Sequence, residues 1–351
     1  MRFEPDVPLA LAWALAWGTL ALVAGMVLAL LVLRWMRWRD APRRAAFEAL
    51  WRPLLMRCAL GEAMHSPWPT LARRRRWSWL QLWLHLQMSL QGPSRQHLAT
   101  LGRTMGVAEL ALARLASSHQ SERLVGMLAL GFLQDKSHAP VLQQALAQGR
   151  NPVVVYAARA LLETDEAQHA PAVVQALLAC PGLDMSLASV MLKPFRSALQ
   201  AAMMAAWPLA GSEGRLPWLR LARALQLQLP QALLAPCLAP GQDAELLMAA
   251  LRLVQGEQGT QPVVALAQHA DWRVRAQAAR VLAEIGARAE VPLLVAMTAD
   301  AQWWVRYRAA QALLRLPGVS QVQALQAVHA GGDRYALSML QAVMAEGGRA
   351  A

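Results

Sequence analysis

A period of about 30 residues constrains this chain more than any other feature. The segment VRAQAARVL at 274–282 aligns with VRYRAAQAL at 305–313 at an offset of 31 residues, and VVVYAARAL at 153–161 fits the same template. LASVML at 187–192 and ERLVGMLAL at 122–130 fit it more loosely, as do LRLARALQL at 219–227, LLMAALRLV at 246–254 and DRYALSMLQ at 333–341, giving about eight units. Ser121, Asn151, Asp184, Ser212, Asp243, Asp271, Asp300 and Asp333 stand just before these segments. Such side chains accept a hydrogen bond from the free amides of a helix N-terminus, so each is expected to open a helix. Pro152, next to Asn151, suits a first helical position. Second helices lie between them in HAPVLQQALAQ, APAVVQALLAC, QPVVALAQHA and AEVPLLVAMTA, and no run alternates with the period of a strand. One such helix pair cannot bury its apolar face alone and must stack on neighbours. The fold class is therefore all-α, an α-solenoid of helical hairpins over residues 119–346 with a short tail at 347–351.

The units DWRVRAQAARVLAEIGARAEVPLLVAMTAD and DAQWWVRYRAAQALLRLPG resemble HEAT repeats, specifically the short bacterial type also found in phycobilisome lyases. The resemblance is closest over 271–318 and looser over the rest of 121–345.

A different physics governs the N-terminus. From Val7 to Leu33, 27 consecutive residues carry no charge and are mostly Leu, Ala and Val. At ~1.5 Å per residue the run spans roughly 40 Å, more than the ~30 Å hydrocarbon core, so residues 7–33 read as one transmembrane helix. The juxtamembrane stretch 34–43 carries the charge: Arg34, Arg37, Arg39, Arg43 and neighbouring Arg44 alternate with Trp35 and Trp38. Residues 34–76 sum to +8 of the chain's +12. Arg excess marks the cytoplasmic side and Trp settles at headgroup level, which places residues 1–6 outside and the C-terminal domain in the cytoplasm. A cleaved signal peptide needs its positive cluster before the apolar run, and here it follows. Three widely spaced cysteines, Cys58, Cys180 and Cys237, suit a reducing compartment. Small residues at Ala10, Ala14, Gly18, Ala21, Gly25 and Ala29 form one helical stripe, either a docking face in lipid or the chance product of an Ala-rich sequence. With this anchor in front, the chain resembles bacterial membrane-anchored HEAT-repeat proteins of the inner membrane. That resemblance implies a membrane glycosyltransferase of exopolysaccharide synthesis as partner.

Residues 44–118 fit the repeat template poorly and are expected to form a helical neck. Within it, Trp77–Leu90 is too short to cross a bilayer. It is either a buried core helix or an interfacial helix holding Arg73 to Arg76 on anionic lipid phosphates, and Gly92-Pro93 ends it in both cases.

Signs of catalysis are absent from the sequence. The eight His residues are scattered without metal-ligand spacing, no His is followed by Glu, and neither a phosphate loop nor a nucleophile elbow occurs. Asp165 and Glu166, with Glu163, form the one tight acidic cluster and read as a solvated turn. No cofactor or metal is expected, and the chain reads as a noncatalytic scaffold that binds a partner protein. Arg275, Arg306 and Arg334 align in the last repeats, as do Trp272 with Trp303 and Tyr307 with Tyr335. The Arg series is either an internal ladder reaching Asp271 or Asp300, or part of a partner-binding patch made by Trp272, Arg273, Trp303, Trp304, Arg306 and Arg308. Trp, Tyr and Arg dominate interaction hot spots. A pI of about 11.1 raises nucleic-acid binding as an alternative, but the excess charge sits beside the membrane segment. A lyase-type enzyme is a further alternative, which the anchor opposes.

Overall fold

A computed structural model describes residues 6–62, 68–211, 213–256 and 259–350; the side chains of several residues inside its first and last helices are outside that description. Among the described residues there are nineteen α-helices and no strand. The chain divides into two units, Met1–Gln134 and Asp135–Ala351.

The first unit contains α1 (Asp6–Ala59), α2 (Arg76–Ser89), α3 (Pro93–Thr104), α4 (Val107–Leu115) and α5 (Gln120–Phe132). The apolar helix does not stop at residue 33, nor at the end of the basic stretch: α1 continues unbroken for 54 residues, about 80 Å. Pro42 and Pro53 lie inside it, embedded in strong helix formers such as the Ala, Arg, Glu and Leu of residues 43–50. Its N-terminal half is exposed on every described side chain, and its C-terminal part packs on α2 and α3 through Trp51, Leu55 and Cys58. Phe47, Trp51, Trp79 and Trp83 form a column with successive ring centroids 6.1, 6.1 and 6.3 Å apart. Trp83 is fully buried and its Nε1–H donates to the Leu98 carbonyl at 2.8 Å. Gly102 makes room for that ring, since a Cβ there would stand 2.8 Å from it.

Of the two fates left open for residues 73–92, the structure takes the first: α2 is a core helix that buries Trp79, Leu80, Trp83, Leu84 and Leu86. Arg73 and Arg74 ahead of it, and Arg76 at its first position, stay exposed. Gly92, at φ 65°, makes the turn and Pro93 opens α3. The unit boundary falls after Gln134, beyond the neck limit of 118, because α5 packs along α4 and on α2.

The second unit is a two-layer stack. One row holds α7 (Val153–Thr164), α9 (Met185–Leu192), α11 (Arg215–Ala224), α13 (Ala244–Leu251), α15 (Trp272–Glu284), α17 (Trp303–Arg315) and α19 (Arg334–Ala350), each packed on the next. The second layer holds α6 (Ala139–Gln148), α8 (Glu166–Ala179), α10 (Arg196–Ala206), the short α12 (Gln231–Leu234), α14 (Thr260–Leu266), α16 (Val291–Met297) and α18 (Gln321–Ala330). Here α6 and α8 pack on α7, α10 on α11, α14 on α15, α16 on α17 and α18 on α19. Every repeat segment read from the sequence in this unit falls in a first-row helix, at least in part, and the core between the rows is Leu, Val and Ala. The architecture is an all-α helical repeat solenoid.

Candidate partner-binding face

The helix starts set the register of everything on the first row. Asp184, Asp243, Asp271 and Asp333 each accept backbone N–H groups at the start of α9, α13, α15 and α19, at 2.7 to 3.1 Å. Three expected starts differ. Asp300 accepts from Gln302 N–H at 2.8 Å, but α17 opens two residues later, with Gln302 itself at the cap. Asn151 leaves its buried Oδ1 without a partner, and Pro152 takes the cap position rather than the first helical one. Ser121 is already the second residue of α5, which His119 precedes as cap. Ser212 lies outside the described residues, as do His65 and Ala351.

Arg275 and Arg306 are both the fourth residue of their helices, whereas Arg334 is the first of α19. The three are therefore not equivalent, and neither are Tyr307 and Tyr335: the motif around residue 333 carries its cap three positions closer to its Arg. Arg334 turns onto its neighbour Tyr335, 4.8 Å from the ring centroid. Among the described residues the ladder has one rung. Arg275 donates from Nε and Nη2 to Asp300 at 2.7 and 2.9 Å, and from Nη1 to the carbonyls of His269 and Ala270. Burial works to raise the Asp300 carboxyl, but hydrogen bonds from Arg275 and Gln302 N–H, with the nearby guanidinium charges, hold it below the usual carboxylate range. Arg306 donates to the carbonyls of Asp300 and Ala301 at 2.8 and 3.1 Å and buries its Nε without a partner. It belongs to the internal frame of α17 rather than to an exposed surface.

Of the expected patch, the aromatic part comes together. Trp303 and Trp304, 47% and 51% exposed, meet edge to face at 4.7 Å, and Trp303 stacks on Tyr307 at 5.1 Å. Trp272 occupies the same first helical position on the adjacent α15 and is 37% exposed. Arg273 is held by Asp271 at 2.7 Å, and Arg308 by Gln311 at 2.9 Å. The two Trp rings left in water at the start of α17 form a patch of the composition that binding surfaces favour.

Two grooves that the sequence reading missed open on the outward side of the same row. A groove of about 450 Å³ runs across α9, α11, α13 and α15, with Arg220, Arg223, Arg252 and Arg273 on its walls. A smaller one of about 160 Å³ lies on α15 and α17, with Arg280, Arg308 and Arg315. The clue in the sequence was an Arg at the exposed position of successive repeats, in LRLAR, LRLV and AARVL.

The acidic cluster dissolves into structural roles. Glu163 is buried and pairs with Arg159, whose Nη1 also donates to the Met191 carbonyl at 2.6 Å. Asp165 caps α8 through Gln168 N–H at 3.1 Å and pairs with Lys136 at 2.9 Å. The hydrogen bond from Lys136, then that from Gln168, lowers the Asp165 carboxyl. Glu166 stands at the start of α8, where a negative charge suits the helix dipole. Among the described residues no group of His, Cys, Asp and Glu is placed to hold a metal ion.

No curated protein matches the chain. The HEAT repeats family model matches residues 243–344, the stretch from the cap of α13 into α19 that carries the Arg275–Asp300 rung and the aromatic cluster, so these units are similar to HEAT repeats.

Proposed function

We propose that this protein is a noncatalytic, membrane-tethered scaffold whose HEAT-repeat unit holds a partner protein at the cytoplasmic face of a bacterial inner membrane. HEAT repeats generally mediate protein–protein interaction, and the exposed rings of Trp303 and Trp304, with half-buried Tyr307 stacked on Trp303, supply the kind of surface that work requires. The partner we favour is a membrane glycosyltransferase of exopolysaccharide synthesis.

One observation carries the tether. The window Leu15–Val32 is apolar enough to cross a bilayer and none of it is buried. A protein in water rarely leaves so large an apolar surface uncovered, and a bilayer covers it on all sides. The same helix then continues to Trp51, inside the core of the first unit, so the apolar stretch is welded to folded protein. Arg34 and Trp35, both exposed, follow the apolar window and suit a headgroup layer with the cytoplasm beyond it. The side chains of Arg37, Trp38, Arg39, Arg43 and Arg44 lie outside the described residues, and their contact with anionic lipid is part of the proposal, with that of exposed Arg73, Arg74 and Arg76.

The test combines two measurements on cells expressing the tagged full chain. Alkaline carbonate leaves the full chain in the membrane pellet and releases a chain lacking residues 1–39. In-cell crosslinking then recovers a membrane glycosyltransferase. A full chain released by carbonate overturns the tether; a crosslinked product containing nucleic acid and no protein overturns the scaffold.

A further inference from the structure

We propose that the outward face of the first helix row receives an extended acidic segment of the partner protein, its carboxylates on Arg223 and Arg252 and its apolar side chains on the groove floor between them. The proposal rests on the scaffold reading and names the chemistry its partner must present.

The groove of about 450 Å³ has an apolar floor, Leu219, Met248 and Ala249 with Met185 at one end, between walls of guanidinium. Two wall cations are already paired, Arg220 with Glu245 at 2.7 Å and Arg273 with Asp271 at 2.7 Å. Arg223 and Arg252 make no ion pair among the described residues. Desolvation, and then the like charges of Arg223, Arg280 and Arg220, holds the Arg252 guanidinium below its ordinary range, so the folded chain gathers positive charge here at a cost that an anion relieves. A guanidinium fork fits a carboxylate with two parallel hydrogen bonds.

The length of the site favours a chain over a small ligand. Arg280, whose charge is felt at Arg252, also lines the second groove with Arg308 and Arg315, so positive charge continues from α11 to α17. The composition favours protein over nucleic acid. Glu245 and Glu284 stand among the Arg residues of the two grooves and repel a continuous phosphate backbone, and no aromatic ring lines either groove as a stacking platform for bases. A segment that alternates acidic and apolar residues fits both the unpaired guanidiniums and the floor.

The test uses the full chain in detergent micelles and three fluorescent probes read by anisotropy: a 16-residue peptide of Glu and Leu, the same peptide with Gln for Glu, and a 20-nucleotide single-stranded DNA. The Glu–Leu peptide is expected to bind, and R223E/R252E to weaken it by about tenfold or more. R150E/R288E, which changes net charge equally at exposed sites outside the grooves, leaves binding unchanged. R223Q/R252Q shows a smaller loss in the same direction and guards against a fold effect of charge reversal, with circular dichroism checking all variants. Equal loss in R150E/R288E, equal binding of the Gln peptide, or preference for DNA overturns the proposal. In-cell capture separates it from the scaffold reading: a partner still recovered from R223E/R252E cells leaves the scaffold standing and removes the groove.

Discussion

Replacing Asp300 by Asn tests whether the Arg275–Asp300 rung holds adjacent repeats together. The substitution removes the charge but keeps an oxygen that can accept from Gln302 N–H, so the cap of α17 survives while the pair with Arg275 is lost. The two side chains are 16% and 13% exposed, close to the buried limit. Breaking a fully buried pair costs about 3–5 kcal/mol and an exposed one at most about 1 kcal/mol, which places this change at about 2–3 kcal/mol. For a unit of this size that corresponds to a Tm lowered by about 4–12 °C. In a stack of repeats the loss is local, because each unit draws stability from its neighbours alone. Hydrogen exchange should therefore accelerate in α15 and in α17 through α19, and remain unchanged in α7 and α9.

The pH dependence has a definite sign. The folded Asp300 carboxyl lies below its unfolded value of about 3.9, so its stabilisation is complete above about pH 4 and is lost as pH falls through the lower folded value. The difference in Tm between the parent chain and D300N is thus constant from about pH 5 to 8 and shrinks below about pH 4. R275Q and D300N combined should cost less than the sum of the two, by about 1–3 kcal/mol. A Tm shift under about 1 °C, or strict additivity of the two substitutions, would refute the rung: Arg275 would then be held by the carbonyls of His269 and Ala270 alone.

Trp51→Ala removes a ring that is 2% exposed and edge-on to Trp79; it should cost about 3–5 kcal/mol and lower the melting of the first unit while exchange in α13 to α17 stays as it was. Ser320→Ala breaks the capping box in which Ser320 and Gln323 each accept the other's backbone N–H, and faster exchange confined to α18, with a loss of about 1 kcal/mol, is expected. Trp303→Ala with Trp304→Ala should change stability by no more than about 0.5 kcal/mol per site, since both rings are about half exposed, yet abolish in-cell capture of the partner; unchanged capture would remove the aromatic cluster from the binding surface.

What was legible in the sequence followed the range of the interaction. Asp184, Asp243, Asp271 and Asp333 were readable as helix starts because a cap is made within two or three residues of itself. The failures have the same origin. At His119 and Pro152 the backbone enters the helix without a side-chain acceptor, so nearby Ser121 and Asn151 were misleading. Arg334 was misaligned because apolar periodicity fixes which face a residue lies on but tolerates a slip of three or four positions along the helix. The grooves escaped altogether. Arg223 and Arg280 sit on α11 and α15 and Arg252 just past the end of α13, and only stacking of the row brings their charges within reach of one another.

The positive face follows from how the repeats spend their carboxylates. Asp184, Asp243, Asp271, Asp300 and Asp333 all accept backbone N–H groups at the N-terminal ends of first-row helices, where orphan amides and the helix dipole favour a negative charge. Stacking gathers those ends along one edge of the row. Farther along the same helices, the outward positions are Arg, and the two nearby carboxylates that are not caps, Glu245 and Glu284, are committed to Arg220 and Arg280. Arg223, Arg252 and Arg315 are left without a counterion among the described residues. Negative charge thus concentrates at the helix starts while uncompensated positive charge lies on the face beyond them. Adding a carboxylate to that face, as in Met248→Glu beside Arg252, should stabilise the free protein and compete with any acidic segment that binds there. Tighter peptide binding in that variant would mean that the floor, and not the unpaired Arg residues, directs recognition.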